Sequence, residues 1–378
     1  MGKSIERQRN IIDFTLSSLL RRKGKNISLM IVYTVIVFVL ASVMFFTHSI
    51  KKEAHLILKD APEMVVQKMI AGRHELIPEG YMEKIGGIRG VGSVHGRLWG
   101  YYYDPTVGAN YTLLVPQDRK IESGEIIIGN GISRSRLAYE GDIIGFRSYD
   151  GSPMNLAIKE ILSYDSELVS SDLVLISRDD FMTLFGMPKG HFTDLALSVR
   201  NPRELPTIAQ KISDLLPDTR PIIRNEIERT YDSVFDWRGG VMVLILSTAL
   251  LSFVIFAWEK ASGLSADEKR EIGILKGLGW ETSDVIMIKF WEGVVVSLSS
   301  FLVGIILAYI HVFFTHAPLF EHTLKGWAIL YPEFRLTPFV DAYQIFTLFF
   351  LTVVPYTVAT IIPAWRAATV DPDSAMRT

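Results

Sequence analysis

Four long stretches of the chain contain no Asp, Glu, Lys or Arg and consist mostly of apolar residues. Because a helix rises about 1.5 Å per residue, about 20 apolar residues are enough to cross the hydrocarbon core of a bilayer. The pattern therefore predicts an α-helical membrane protein with four transmembrane helices, at residues 26–50, 239–258, 293–313 and 342–365.

The segment before the first apolar stretch, residues 1–25, has a different pattern. Ile5, Ile12 and Leu16 recur at helical spacing, and Arg7 and Arg9 fall elsewhere on the helix. This predicts an amphipathic helix over residues 5–20. A basic helix just before a membrane span is expected to lie in the membrane interface.

Residues 51–238 have the pattern of a large folded α+β domain between the first two apolar helices. Short β-rich runs, separated by turn signals, predict strands at Met64–Gln67, Tyr111–Val115, Glu125–Gly129 and Leu173–Ile176. Helices are predicted at Phe181–Phe185 and Leu205–Leu216, and a strand near Ile222 closes a β-α-β ending. The aromatic run 98–103 has two interpretations, strand residues that pack a core or a surface for a substrate or partner.

The distribution of Lys and Arg predicts the orientation. Residues 1–25 contain seven, residues 259–292 contain five and the tail 366–378 contains two, whereas the loop 314–341 contains two. Basic loops stay in the cytoplasm, so both termini and the loop 259–292 are predicted to be cytoplasmic. The domain 51–238 is then extracytoplasmic.

Composition excludes several kinds of function. The chain has no Cys, which excludes disulfides, thiolate zinc sites and a cysteine nucleophile. A formal net charge of −2 gives no support to nucleic-acid binding. Gly2-Lys3-Ser4 lacks the upstream glycine and strand of a phosphate-binding loop, and no catalytic motif is present, so we predict that the chain is not an enzyme and has no cofactor of its own.

Three histidines lie close together in the sequence near the end of the third apolar stretch, at His311, His316 and His322. Imidazoles bind zinc, copper and haem iron, so these residues are candidate metal ligands. The alternative is that they are structural residues at the membrane surface, because their spacing matches no single helical face.

The loop 259–292 carries the strongest local signals. Ser265 and Glu268 are spaced as a capping box, which predicts a helix from Ala266 to Leu278 that ends at Gly279. Thr282 or Ser283 is expected to cap the next helix. The predicted helix mixes charged and apolar residues: Lys269, Arg270, Glu271, Ile272, Ile274, Leu275, Lys276 and Leu278. We expect its apolar side to be uncovered within the chain and therefore to contact a partner protein.

The segment Lys269–Gly279, K-R-E-I-G-I-L-K-G-L-G, resembles the R-x-E-I-G-I-L-K-A-L-G segment of FtsX-like permeases. This MacB-type family of ABC transporter permeases includes MacB, LolC/LolE and HrtB. Pro363–Pro372 is similar to the P-A-x-R-A-A-x-x-x-P ending of the family. A third similarity runs from Ile128 to Ile158. The order of one span, a large outer domain and three further spans also resembles the family.

The resemblance implies the permease subunit of an ABC transporter in the bacterial cytoplasmic (inner) membrane. It implies two copies of a separate ABC ATPase that bind ATP and Mg, and a homodimer or pseudo-symmetric heterodimer of permeases. It further implies that residues 269–279 form the coupling helix, and that ATP hydrolysis moves the outer domain, a mechanism called mechanotransmission. This movement would export a substrate, or extract one such as a lipid-anchored protein, at the outer side of the membrane. An extracytoplasmic adaptor or lipoprotein is a possible further partner.

Three alternatives stay open at the level of the sequence. One is a non-transporting regulator of an extracytoplasmic partner such as a cell-wall hydrolase. Another is simple efflux of a hydrophobic molecule or of one that carries haem or metal. The third is a sensor with a ligand-binding outer domain, although the tail 366–378 is too short for a signalling domain.

Overall fold

The computed structural model describes residues 2–59, 61–162, 170–230, 266–320, 329–330 and 336–369, together with single residues between 233 and 258. The chain divides into two compact units. The first comprises residues 1–49, 236–315 and 338–378, and the second comprises residues 50–235 and 316–337. Of the predicted helix 239–258, the structure describes residues 244, 247, 248, 250–252, 254, 255 and 258, all of them helical, and the other positions lie outside the described residues.

The main helices are α1 (Gly2–Arg21), α2 (Lys23–Lys59), α3 (Gly80–Gly86), α4 (Asn130–Arg136), α5 (Arg178–Phe185), α6 (Leu205–Leu215), α7 (Ala266–Gly277), α8 (Thr282–Tyr309) and α9 (Ala342–Ala368). The strands are β1 (Met64–Ile70), β2 (Arg73–Glu75), β3 (Ile77–Pro78), β4 (Val91–Arg97), β5 (Trp99–Asp104), β6 (Ala109–Leu114), β7 (Glu125–Gly129), β8 (Ile143–Arg147), β9 (Pro153–Leu162), β10 (Leu173–Ile176), β11 (His191–Phe192), β12 (Asp194–Val199) and β13 (Thr219–Ile223).

Three helical stretches of the described chain are long and apolar enough to cross a membrane: Lys23–Glu53, Thr282–Phe314 and Ala342–Ile362. They include the predicted spans 26–50 and 293–313 and, of the predicted span 342–365, all but the last three residues. Small residues let these helices approach closely, as is usual between helices in a membrane. A Cβ atom on Gly304 of α8 would lie 2.7 Å from Val37 of α2. The Tyr33 ring stacks on the Tyr356 ring with centroids 5.2 Å apart.

The second unit, called the outer domain here after its predicted location, is an α+β domain with two main sheets. One has the strand order β13-β1-β12-β4, with β2 paired to β1. The other has the order β5-β6-β10-β7-β9-β8. Strand β1 runs antiparallel to both β12 and β13 and lies between them. The predicted β-α-β ending is therefore present, as a pair of parallel strands that are separated by β1.

Most of the aromatic run lies on β5, where successive side chains point to opposite faces of the sheet. Its tyrosines are therefore divided between an inward and an outward face. Tyr102 packs against the main core, and its hydroxyl accepts a hydrogen bond of 2.8 Å from the Arg147 N–H. Tyr101 and Tyr103 are 67% and 58% exposed. The core interpretation therefore holds for Tyr102, and the two outward tyrosines remain candidates for a contact surface.

A buried charge network holds the β5–β6 hairpin. The Asp104 carboxylate, 1% exposed, accepts hydrogen bonds from the Tyr111 hydroxyl at 2.5 Å and from Arg136 Nε at 2.7 Å. Burial alone would raise the pKa of Asp104, but the bonds from Tyr111 and Arg136 outweigh it and lower that pKa. The ionised carboxylate therefore stabilises the folded hairpin.

Arg136→Ala should destabilise the outer domain by about 3 kcal/mol, because it leaves the buried Asp104 carboxylate without its charge partner. Hydrogen exchange of β5 and β6 in the purified protein measures this loss. Because folding depresses the Asp104 pKa, its contribution is complete above about pH 4 and is lost as the pH falls through the folded pKa.

The matched control is Arg119→Ala, which removes a surface ion pair with Glu160 at 3.2 Å. This variant should lower the stability of the outer domain by less than about 0.5 kcal/mol. Equal losses in the two variants would contradict a structural role for the buried network.

Candidate functional site

Helix α7 ends in a Schellman motif, in which two amides after the helix fold back onto its last carbonyls. The Gly279 N–H donates to the Lys276 carbonyl at 3.0 Å, and the Trp280 N–H donates to the Leu275 carbonyl at 3.1 Å. Gly279 has φ +94°, a backbone conformation that favours glycine. Trp280 and Leu275 also pack in one apolar cluster, the contact that usually accompanies this motif. The helix ends at Gly277, one residue before the predicted Leu278, and Gly279 terminates it as predicted.

The start of α8 has a capping box, but its N-cap residue is not one of the two that were predicted. Glu281, rather than Thr282 or Ser283, is the N-cap residue. Its side chain accepts from the N3 backbone, and Asp284 accepts from the Glu281 N–H at 3.1 Å. Glutamate is an uncommon N-cap, so the usual preference for Ser and Thr pointed one or two residues too far. The predicted cap of α7 at Ser265 lies outside the described residues.

The apolar side of α7 is covered within the chain. Ile11 of α1, Leu275 of α7 and Ile288 of α8 are each at most 8% exposed and form one cluster. The rings of Phe14 and Trp280 close this cluster, with centroids 5.6 Å apart. The expectation that nothing in the chain covers this side is wrong for Ile272 and Leu275, because α1 lies against α7 and α8 through Ile11 and Phe14. The predicted apolar face of α1 is wrong as well, since Leu16 is 42% exposed and Ile11, rather than Ile12, is the buried residue.

Ion pairs join the same three helices. Glu271 of α7 accepts from Arg21 at 2.9 Å and from Arg22 at 2.7 Å. Arg7 of α1 donates to Asp284 at 2.6 Å, and this hydrogen bond raises the pKa of Arg7. A further contact joins Arg7 to Glu281 at 3.3 Å. These charges fix how α1 is placed along α7 and the start of α8.

The predicted site residues fall into two groups. Ile272 and Leu275 are buried, and Glu271 and Lys276 are half-buried. The exposed members are Arg270, Ile274, Leu278 and Gly279. The backbone of Lys269 belongs to α7, and its side chain lies outside the described residues.

Two exposed apolar residues, Ile274 in α7 and Leu278 directly after it, form a short outward edge. Ile274 is 51% exposed and Leu278 is 73% exposed, and residues spaced by four lie on one face of a helix. A hollow of about 550 Å³ lies beside Leu278, lined also by Glu6, Arg7 and Asn10 of α1. We call Ile274 and Leu278 the outward edge. It offers a small apolar contact with a charged border.

The histidines do not form a metal site in the part of the chain that the structure describes. His311 is 7% exposed, and its Nδ1 lies 3.2 Å from the Ser42 hydroxyl, with which it can share a hydrogen bond. His316 is exposed, and His322 lies outside the described residues. No group of three or more His, Asp or Glu side chains that could hold a metal ion occurs among the described residues.

The contribution of α1 did not follow from the sequence pattern. Arg7 was placed only on the polar side of the predicted helix, Arg21 and Arg22 contributed only to the count of positive charge, and Ile11 was not singled out. A doublet of arginines at the end of an amphipathic helix was the available signal. Its partner Glu271 is 250 residues from Arg21, and charge pattern alone does not pair residues at that separation.

Residues 239–372 match the family model of the FtsX-like permease C-terminal domain. Among solved structures, the extracellular domain of the noncanonic ABC-type transporter YknZ from Gram-positive bacteria is similar at 11% identity and a TM-score of 0.28, over 42% of this chain and 98% of that chain. The periplasmic region of MacB from Actinobacillus actinomycetemcomitans is similar at 8% identity and a TM-score of 0.31, over 45% of this chain and 92% of that chain. No curated protein matches the chain.

The matched region contains α7, α8 and α9, and with them both segments that carried the family resemblance, Lys269–Gly279 and Pro363–Pro372. The predicted resemblance is therefore confirmed. The chain carries, over residues 239–372, a domain of the FtsX-like permease C-terminal family.

Proposed function

We propose that this protein is the membrane permease subunit of an ABC transporter and that α7 is its coupling helix. The observation that carries the proposal is the outward edge of Ile274 and Leu278, on a helix that its own chain holds in place. The match to an FtsX-like permease domain supports it. ATP and Mg would bind to two copies of a separate ATPase, and the permease would act as a dimer.

The chemistry of the edge suits a protein groove. An apolar contact at the centre of an interface, with charged residues around it, is the usual arrangement of a binding hot spot. Leu278 supplies the apolar centre, and Arg270 and the charges that border the hollow supply the rim. We propose that the partner groove receives Leu278 first, because it is the more exposed of the two residues of the outward edge.

The proposal includes mechanotransmission, in which ATP-driven movement of the apolar helices moves the outer domain. Helix α2 supports it, because it continues without a break from Lys23 past Ile50 to Lys59. A continuous helix transmits a displacement, whereas a Gly/Ser-rich linker absorbs it. The transported or extracted substrate is not identified by these features.

Leu278→Asp should weaken association with the ABC ATPase by about tenfold or more, because it places a charge in the apolar centre of the contact, which is typically worth about 1–3 kcal/mol. The measurement is the dissociation constant of the detergent-purified permease and ATPase. We expect the permease alone to hydrolyse no ATP.

The matched control is Leu137→Asp. Leu137 is 75% exposed, much like Leu278, but it lies on the outer domain and is remote from α7 in sequence. This variant should bind the ATPase as the wild type does. Unchanged binding by Leu278→Asp, or robust ATP turnover by the permease alone, would be incompatible with the proposed role of α7.

Inserting about ten Gly/Ser residues after Ile50 and a second such linker near Trp237 should abolish transport and leave ATPase activity intact, because flexible linkers uncouple the outer domain. The measurement is transport and ATP turnover in the same reconstituted complex. Retained transport would favour efflux through the apolar helices over mechanotransmission.

A further inference from the structure

Helix α7 is tied to the point at which the first apolar helix begins. Helix α1 ends at Arg21 and α2 begins at Lys23, so only Arg22 separates them. Arg21 donates to Oε1 of Glu271 at 2.9 Å, and Arg22 donates to Oε2 at 2.7 Å. A single carboxylate on α7 therefore holds both the end of α1 and the junction with α2.

The junction between α1 and α2 is internally bonded. The Arg22 N–H donates to the Ser18 carbonyl at 3.3 Å, and the Asn26 N–H donates to the Arg22 carbonyl at 3.2 Å. The Asn26 side-chain amide also donates to the Leu19 carbonyl at 3.0 Å, across the junction. Bending at this point would break these bonds, so a displacement of the junction reaches α2.

The environment of the Arg22–Glu271 pair makes it stronger than an ordinary surface pair, whereas the Arg21 side chain is 61% exposed and its pair with Glu271 is the weaker of the two. The side chains of Glu271 and Arg22 are 28% and 25% exposed, so water screens them only in part. Charge-assisted hydrogen bonds to a shielded carboxylate are among the stronger polar contacts in proteins. By contrast, Arg9 and Asp13 on α1 are 4.0 Å apart and mostly exposed, and such pairs contribute little.

We infer that Arg21, Arg22 and Glu271 are positioning residues that carry a movement of α7 to the first apolar helix. The inference rests on the proposed function. The turn from Leu278 to Glu281 already joins α7 covalently to α8, and the Glu271 pairs add a connection to α2. A partner that displaces α7 then moves α2 and α8 together, and α2 leads in sequence into the outer domain.

The connection can be tested in the purified permease without any ATPase. In Arg21→Ala/Arg22→Ala, the amides of residues 266–278 should exchange hydrogen about tenfold faster, because the α7 carboxylate loses both of its donors. Arg9→Ala, on the same helix, should leave this exchange unchanged. Unchanged exchange in the double variant would overturn the inference.

The transmission itself is tested in the complex with the ABC ATPase and Mg-ATP, with a spin label on Lys52→Cys, about two helical turns before the far end of α2. The native chain has no Cys, so the label is unique. Arg21→Glu/Arg22→Glu should bind the ATPase within about twofold of the wild type but lose most of the ATP-dependent spectral change. Adding Glu271→Arg should restore that change, since the pairs re-form with reversed charge.

The possible results distinguish a failure of the inference about Glu271 from a failure of the proposed function. A full spectral change in Arg21→Glu/Arg22→Glu, or no recovery when Glu271→Arg is added, overturns the inference and leaves the proposed function intact. Failure of the wild-type permease to bind an ABC ATPase overturns the proposed function, and the inference that rests on it fails with it. A purely structural role would lower ATPase binding together with the spectral change.

Discussion

The packing of Leu275 between Ile11 and Ile288 decides where helix α7 lies. A helix of 12 residues is marginal in water by itself, so it needs an apolar surface to pack against. Helices α1 and α8 supply that surface, and the Schellman turn at Gly279 fixes the path from α7 into α8. Because Ile272 and Leu275 are used in this way, Ile274 and Leu278 are the apolar residues left exposed beside the buried side.

This division separates two tasks on one short helix. The inward side, with Ile272, Leu275 and Glu271, connects α7 to the rest of its unit. The outward edge offers a contact to a partner. A coupling element needs both properties, because a helix that binds a partner but is loosely held would move without moving the membrane helices. The arginines of α1 supply the polar half of that connection.

The sequence predicted local features well and distant pairings poorly. Strands β7 and β10 were predicted at their observed bounds from short β-rich runs, and the end of α7 followed from the conformational preference of Gly279. The pairing of Glu271 with Arg21 depends on how α1 folds back onto α7, and a sequence pattern contains no information on that contact. The Glu281 cap was missed because local preference favours the hydroxyl residues next to it.

The most direct test of the account is a thiol cross-link from α7 to the ABC ATPase. The native chain has no Cys, so Leu278→Cys and Leu275→Cys each carry a single thiol at an exposed and a buried position of the same helix. With a short thiol-to-amine cross-linker, the account predicts a covalent permease–ATPase product from Leu278→Cys and little or none from Leu275→Cys. A stable complex that gives no product from Leu278→Cys, or equal products from both variants, would contradict it.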